Sequence, residues 1–543
     1  MAYVVAVISV WLIIAAATAL RPGRRGLFAV LAFPVGWTAG ELGVQAIVVE
    51  AGLVGLLWWW GWPRDHWLAV LLIVLVTLVV MENLVIVAIS FYARRIVRRA
   101  LATSPRRPLV LPGPSDDRFG SWWRTALQLS FHPRDLVVTR NVVYGPEPRH
   151  RLDVWRSSHA PGDSPVMFYV HGGAWSYGDK REQGRPMLHE FAARGWVVVA
   201  CNYRLAPQHA WPAQIEDVTR TLGWIKQHIV EYGGDPSRVV VSGSSAGGHL
   251  AALVALSAND PTWRPLEMSN VTDWSVRACI SFYGVLEMTG DEAHWHGLGE
   301  GLRALLAARV VQTPYDGHED LYRSLSPLHR LSVDAPPFLV VQGGNDTLVD
   351  VHVARGFVDA FRAVALAPAY YVELPFTQHA YDVTASPRTS ATTRAAVIFA
   401  ETFAAPRPSL DPSLVAHYQS PPTLVEVESA DGLRHSARDV ARERGSFFVV
   451  AADNPYSRRS SLDENVARRR ELEMVVVAHG HELWRTVARD PSGQWPDEAG
   501  VAIFGAHFDV ARALAEAFEQ FAFFEVTPEH TLVRATLGGA VLV

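Results

Sequence analysis

Three residues whose types cooperate in nucleophilic catalysis, Ser245, Asp346 and His379, each follow a β-rich run of the sequence. A serine hydroxyl is a weak nucleophile at neutral pH. The imidazole of a histidine, which titrates at about pH 6.5, can take the hydroxyl proton and return it, and a carboxylate fixes the histidine tautomer. The order serine, aspartate, histidine therefore predicts a catalytic triad that performs acyl transfer.

The serine lies in a glycine-rich turn, residues 243–248, between the β-rich run RVVVS and the helix-forming run HLAALVALSA. Glycines permit the sharp turn that raises a nucleophile above a sheet, and the N–H of Ala246 follows it. A second turn, HGGAW, has Gly172 and Gly173 in sequence. We expect the N–H groups of these three residues to form an oxyanion hole, which stabilises a tetrahedral intermediate.

Aromatic residues near these turns are candidates for the substrate pocket, namely Trp175, Tyr203 and Trp211, with packing in the core as the alternative. About fifty residues between Gly284 and Pro336 exceed what the sheet needs, and we expect them to cover the site. Their histidines, at 294, 296 and 318, are interpreted as structural because no HExxH motif accompanies them. Phosphate-binding loop motifs are absent from the sequence, so we predict neither a metal nor a cofactor.

Residues 131–405 alternate β-rich runs with amphipathic helical stretches. The pattern predicts eight strands, of which the first two are antiparallel and the others are joined by βαβ crossovers. The expected fold class is α/β, with a mostly parallel twisted sheet covered by helices on both faces. In such sheets the turns beyond the carboxyl ends of the strands carry the reactive groups.

Five motifs carry a family resemblance: HGGAW (171–175), NYRLAP (202–207), DPSRVVVSGSSAGGHLA (235–251), GGNDTLV (343–349) and QHAYD (378–382). In combination they resemble the α/β-hydrolases of the hormone-sensitive lipase-like carboxylesterase class, which implies hydrolysis of carboxylic esters by the predicted triad. Our leading hypothesis is an esterase for small or medium acyl chains. Ala174-Trp175 stands where many lipase-like members have a third glycine, and HGG-x-W also occurs in aryl formamidases. An aryl formamidase with the same triad is therefore one alternative. A catalytically silent membrane scaffold is an alternative of a different class.

The chain begins with a strongly apolar region, residues 1–93, that contains only eight charged side chains. Three segments, 1–20, 27–60 and 67–92, are each long enough for the roughly 20 residues that cross a bilayer. The second is too long for one straight pass, so we expect a tilted helix or an interfacial tail ending at Trp58–Trp60. We interpret the region as a membrane anchor.

Arginines follow the first and third apolar segments, and arginine is retained on the cytoplasmic side of membranes. The amino terminus is thus predicted outside, with the catalytic domain on the cytoplasmic side of the inner or plasma membrane. A cleaved signal peptide is disfavoured because no basic residues precede the first apolar segment. Two cysteines in 543 residues exclude a disulfide framework, and the net charge of −5 argues against a nucleic-acid partner. The expected partners are the bilayer and a small-molecule ester.

The remaining sequence divides into a basic, proline-rich linker at 94–130 and a carboxyl-terminal domain at 406–543, which prolines separate from the catalytic domain. Its β-rich runs and two amphipathic helices predict a small α+β domain. Asn454-Pro455, Asn465, Trp495, Glu498 and Gln520 resemble, in type and order, a small bacterial domain of unknown function.

Overall fold

A computed structural model describes residues 2–23, 26–63, 65–103, 109–111, 135–406, 424–429, 432–489, 497–536 and 541. The chain forms two compact units. The first comprises residues 1–405 except for two short segments, 332–335 and 364–367, and the second comprises these segments with residues 406–543. Most of the predicted linker and Trp495 lie outside the described residues.

The first unit starts with four helices: α1 (Ala2–Leu20), α2 (Gly26–Glu41), α3 (Gly43–Trp60) and α4 (His66–Ala102). Among the described residues, α1, α3 and α4 are long and apolar enough to cross a membrane. The single second segment expected over 27–60 is wrong in detail, because Leu42 has non-helical dihedral angles (φ −109°, ψ 25°) and separates α2 from α3. Gly40 and Gly43 lie on either side of this break, and glycine weakens helix continuity.

Layers of apolar side chains show the course of these helices. At one end Val5 of α1 packs with Leu57 of α3 and Leu72 of α4, and at the other end Ala16 of α1 packs with Ile86 of α4. Helices α1 and α4 therefore run in the same direction, and α3 returns between the two ends. Large apolar side chains on all four helices are exposed, as expected for surfaces that face lipid.

Helix α4 continues beyond the apolar region into the core of the first unit. Its 37 residues span about 56 Å, well beyond the roughly 30 Å of a bilayer core. Ala93, Val97 and Leu101 are buried in the same hydrophobic cluster as the central strands. The assignment of 94–102 to a linker is thus wrong, because the arginines between these residues occupy only the exposed face of a helix that continues.

The first unit contains an eight-stranded sheet of order β1-β2-β4-β3-β5-β6-β7-β8. Its strands are β1 (Leu136–Val143), β2 (Arg151–Ser157), β3 (Ser164–Val170), β4 (Val197–Cys201), β5 (Gly234–Ser244), β6 (Ala278–Phe282), β7 (Phe338–Gly343) and β8 (Ala369–Leu374). Strand β2 pairs antiparallel with β1 and β4, and the other pairs are parallel. The predicted fold class is confirmed.

Helices connect these strands and cover the sheet: α5 (Arg185–Ala193), α6 (Ala213–His228), α7 (Ala246–Leu256), α8 (Glu292–Trp295), α9 (Gly299–Leu305), α10 (Glu319–Leu325), α11 (Val351–Val364) and α12 (Pro387–Phe403). The parallel strands are almost completely buried, which explains their runs of valine and isoleucine. Helices α8 to α10 form the predicted insertion between β6 and β7.

The described residues of the second unit form an antiparallel sheet of order β10-β9-β12-β13-β11-β14-β15 and three helices. Its strands are β9 (Leu424–Glu428), β10 (Arg434–Ser436), β11 (Phe447–Ala451), β12 (Glu482–Arg489), β13 (Glu498–Phe504), β14 (Ala522–Val526) and β15 (Thr531–Ala535). Its helices are α13 (Ala437–Arg444), α14 (Leu462–Ala478) and α15 (Phe508–Ala517). The α+β prediction is confirmed.

Candidate active site

Ser245 lies in the sharp turn between β5 and α7. Its backbone adopts φ 55° and ψ −123°, a conformation that is strained for a residue with a side chain. A Cβ atom on Gly243 would lie 2.2 Å from the carbonyl oxygen of Gly247, and one on Gly247 would lie 2.1 Å from that of Val170. Only glycine fits at these two positions, so the flanking glycines allow the serine to project from the end of the strand.

The structure brings the three predicted triad residues together. His379 Nε2 lies 2.9 Å from Ser245 Oγ, and His379 Nδ1 lies 2.7 Å from Asp346 Oδ2. The three side chains come from the turns after β5, β7 and β8, at the carboxyl ends of parallel strands in one sheet. In this arrangement His379 can accept the serine proton at Nε2 while Asp346 holds a proton on Nδ1.

The Asp346 carboxylate is fixed by donors on both oxygens. Its Oδ1 accepts hydrogen bonds from the backbone N–H groups of Leu348 and Val349, each at 2.9 Å, and its Oδ2 accepts one from Gln342 Nε2 at 3.0 Å. These donors hold the carboxylate in one orientation towards the imidazole.

One of the three predicted oxyanion donors has a hydrogen-bond partner in the structure. The Gly172 N–H donates to Gln183 Oε1 at 2.8 Å, a side chain that the sequence analysis did not single out. Gly173 has φ +120°, and a Cβ there would lie 2.0 Å from the Tyr177 carbonyl oxygen, so this turn requires glycine. This contact engages Gly172 and leaves Gly173 and Ala246 as the other two predicted donors, and Gln183 holds the backbone of the turn.

A buried polar network that the sequence did not reveal lies beside the triad. The Tyr283 ring packs against His379 with centroids 4.6 Å apart, and its hydroxyl hydrogen bonds Asp382 Oδ1. Asp382 Oδ2 accepts from Ser244 Oγ, which accepts from Tyr169. Burial raises the pKa of Asp382 despite the opposing hydrogen bond from Tyr283, and burial also raises the pKa of Tyr283. The hydrogen bond to Asp382 thus holds the Tyr283 ring against the His379 imidazole.

The three aromatic pocket candidates lie in different environments. Trp175 is 1% exposed and donates from Nε1 to His249 Nδ1, while Tyr203 is fully buried, stacks on His171 and donates to its carbonyl oxygen. Trp211 is partly buried and packs against His249 and Trp263. Trp175 and Tyr203 are therefore packed in the core with protein partners, which was the alternative to a role in the substrate pocket.

One histidine of the insertion lies in a group of metal-ligand types among the described residues. Potential ligand atoms of His296, Asp350 and His352 lie within 4.8 Å of one another. His352 Nδ1 is already 2.7 Å from Asp350 Oδ1, and the Arg355 guanidinium lies 3.3 Å from its Nε2. These contacts occupy both ring nitrogens of His352, so the group forms a hydrogen-bonded cluster with a cation beside it.

Comparisons with known proteins match the two units separately. Residues 152–361 match the BD-FAE family, and residues 450–523 match a family of proteins of unknown function, DUF3293. The chain is 42% identical over 283 residues to the probable carboxylic ester hydrolase LipM of Mycobacterium tuberculosis, which covers 51% of this chain and 64% of that protein. It is 39% identical over 271 residues to the esterase LipC of the same organism, covering 49% of this chain and 65% of LipC.

The eight-stranded unit has the α/β-hydrolase fold, and about half of the chain is similar to carboxylesterases. The chain spans less than two thirds of the length of LipM and LipC. A solved structure of a truncated carbohydrate esterase from gut microbiota is also similar to this chain, with 19% identity and a TM-score of 0.43 over 49% of this chain and 99% of that one. The resemblance to carboxylesterases is confirmed, as is that of the second unit to a domain of unknown function.

Four of the five residues or pairs named for the second unit's resemblance are described. Asn454 and Asn465 hydrogen bond each other through two contacts, at 3.0 and 3.1 Å, and Gln520 Nε2 donates to the Asp453 carbonyl oxygen at 3.0 Å. Burial, together with the neighbouring Asp453, raises the pKa of Glu498 to about 7. The polar residues of the resemblance therefore hold turns around β11 and β13.

Proposed function

We propose that this chain is a membrane-anchored serine hydrolase that cleaves carboxylic esters of small or medium acyl chain. The observation that carries the proposal is the position of His379, whose two ring nitrogens lie within hydrogen-bonding distance of Ser245 and Asp346. The names of LipM and LipC support an ester as the scissile group. The hydrogen-bonded triad favours an active enzyme over a silent scaffold.

The reaction begins when Ser245 Oγ attacks the ester carbonyl carbon and its proton passes to His379 Nε2. The carbonyl oxygen becomes an oxyanion that accepts hydrogen bonds from the N–H groups of Gly173 and Ala246. As the C–O bond breaks, His379 returns the proton to the leaving alcohol, and the acyl group stays on Ser245. His379 then takes a proton from water, which attacks the acyl carbon. It passes this proton to Ser245 Oγ as the bond between Oγ and the acyl carbon breaks, so the acid leaves and the serine is regenerated.

Membrane anchoring is supported by the three apolar helices and their exposed apolar surfaces. Exposed arginines on the last turns of α4, at 94, 95, 98 and 99, lie at the end of α4 that packs against the hydrolase sheet. By the positive-inside rule this end is cytoplasmic. Both native cysteines are fully buried. A cysteine introduced at Leu266, which is 92% exposed, should therefore label with an impermeant maleimide only after the cells are opened.

The activity is tested with the full chain in detergent against p-nitrophenyl esters of increasing acyl length and against N-formylkynurenine. We expect ester hydrolysis and fluorophosphonate labelling, both of which are lost in Ser245→Ala. Preferential cleavage of the formyl amide would replace the ester with the aryl formamidase alternative. Labelling of Ser245→Ala at the level of the parent would contradict the proposed nucleophile.

A further inference from the structure

The loop that carries His379 is covered by a helix of the apolar region. The Phe33 ring of α2 lies edge-on to the His379 ring, with centroids 6.0 Å apart, and Trp37 Nε1 donates to the Ala380 carbonyl oxygen at 2.9 Å. A Cβ on Gly36 would lie 3.5 Å from the side chain of the residue that precedes His379. Residues three or four positions apart lie on the same face of a helix. Phe33, Gly36 and Trp37 therefore pack on this loop from one face of α2.

The loop that carries Asp346 is held by the end of α1. Asn345, directly before the triad aspartate, donates from Nδ2 to the carbonyl oxygens of Ala19 and Leu20 at 2.8 and 3.2 Å. These carbonyls belong to the last turn of α1 and have no partner within that helix. The membrane region therefore contacts the loops of both the acid and the base of the triad.

These contacts place the triad at the end of the apolar helices. Helix α1 has 19 residues and spans about 28 Å, close to the thickness of a bilayer core. Because its last two residues bond to the residue beside Asp346, the triad lies at the level where α1 leaves the apolar layer. A substrate dissolved in that layer would be adjacent to the site.

An exposed apolar surface continues from the triad along α2. Val30 precedes Phe33 by three residues, so it lies on the same face one turn earlier, and it is 56% exposed. Phe376, three residues before His379, is 41% exposed. The α2 face that covers the imidazole thus extends into open apolar surface, which would shield a hydrocarbon chain from water.

The geometry points to a membrane-dissolved ester as the substrate, and we propose that it reaches Ser245 from the bilayer along the Val30–Phe33 face of α2. This inference rests on the proposed serine esterase. The apolar chain of the ester lies along that face while its carbonyl group meets the serine. Hydrolysis adds water to the ester, and the carboxylic acid formed ionises and leaves for the aqueous side, since a carboxylate is poorly soluble in hydrocarbon.

The test uses the full chain in phosphatidylcholine nanodiscs with two substrates, dioctanoylglycerol within the disc and p-nitrophenyl acetate in water. Val30→Trp fills the exposed apolar face but keeps it compatible with lipid. Leu31→Trp is the matched control, because Leu31 is 54% exposed on the same turn but points away from the Phe33 face. Co-elution of each variant with the nanodisc verifies its insertion.

We expect Val30→Trp to lower kcat/KM for dioctanoylglycerol by about tenfold or more and to leave p-nitrophenyl acetate hydrolysis within about twofold of the parent. Leu31→Trp should change neither. Equal effects of the two variants, equal losses on both substrates, or no change in Val30→Trp would overturn the inference. If the parent cleaves neither ester, the proposed function itself fails, which separates the two outcomes.

Discussion

Arg388 and Glu41 form an ion pair at 2.9 Å in which both side chains are at least 98% buried. Arg388 belongs to the first turn of α12, shortly after the loop of His379, and Glu41 ends α2. Arg388 also hydrogen bonds the carbonyl oxygen of Gly40 in the last turn of α2, where a cation complements the helix dipole. The pair thus joins the amino-terminal apolar helices to helix α12, close to the loop of His379.

Removing one partner should leave a buried charge without compensation. We expect Arg388→Met to lower the free energy of unfolding by about 3–5 kcal/mol, whereas the double variant Glu41→Leu/Arg388→Met recovers most of this loss because both charges are gone. Thermal inactivation of the full chain in detergent measures the effect. A single variant as stable as the parent would show that the pair does not hold the two parts together.

Stability should depend on pH through two buried histidines. Burial lowers the pKa of His171 and of His249 from 6.5 to about 4. Between these two pH values the unfolded chain binds more protons than the folded chain, so the free energy of unfolding decreases as the pH falls through this window. Each unit of pKa difference corresponds to about 1.4 kcal/mol.

The thermal midpoint of the full chain should therefore drop between pH 6.5 and 4. His249→Gln keeps a polar side chain that does not titrate, so it should show a shallower decrease over the same range. An identical pH profile in parent and variant would exclude His249 as a source of the acid sensitivity.

The glycine turn around the nucleophile should tolerate no side chain. Gly247→Ala places a Cβ 2.1 Å from the Val170 carbonyl oxygen, so the turn must shift and carry Ser245 out of line with His379. We expect kcat to fall by about a hundredfold or more, as for other displacements of reacting groups. Gly301→Ala is the control and should retain activity, because a Cβ at this helical glycine would meet no atom within 4 Å beyond its own helix backbone and chain neighbours. Normal kcat in Gly247→Ala would contradict the close packing of the turn.

Gln183 should act as a positioning residue for the oxyanion turn. Gln183→Met keeps the length of the side chain but removes the acceptor of the Gly172 N–H. We expect kcat to fall by about tenfold with little change in KM, because the turn contacts the transition state more closely than the ground state. The thermal midpoint should stay near that of the parent. A change in KM alone would instead place Gln183 in substrate binding.

The sequence predicted what local patterns determine. Ser245, Asp346 and His379 each follow a strand, and parallel strands bring the ends of successive βα units to one edge, so their proximity follows from order and spacing. The glycines around Ser245 were predictable for the same reason, since a sharp turn after a strand requires them. The fold class of both units also followed from the alternation of strands and helices.

Long-range packing was not predictable in this way. Phe33 meets His379 across 346 positions of sequence, and nothing in the apolar run around Phe33 distinguishes a residue facing an active site from one facing lipid. Gln183 lies in a polar stretch with no motif, and only the fold places it on Gly172. Trp175 shows the opposite case, in which a motif suggested a role that the packing does not give. Its position in HGGAW indicated a substrate pocket, but its indole N–H donates to the buried His249.

The most direct test of the account is to trap the acyl-enzyme. The full chain is mixed with excess p-nitrophenyl butyrate, quenched in acid within the first turnover and digested for mass spectrometry. The account predicts a butyryl group on Ser245 that is absent from Ser245→Ala. The group should be lost with time as water, activated by His379, hydrolyses the acyl-enzyme. Turnover of the ester with no acyl group on Ser245, or with the group on another residue, would contradict it.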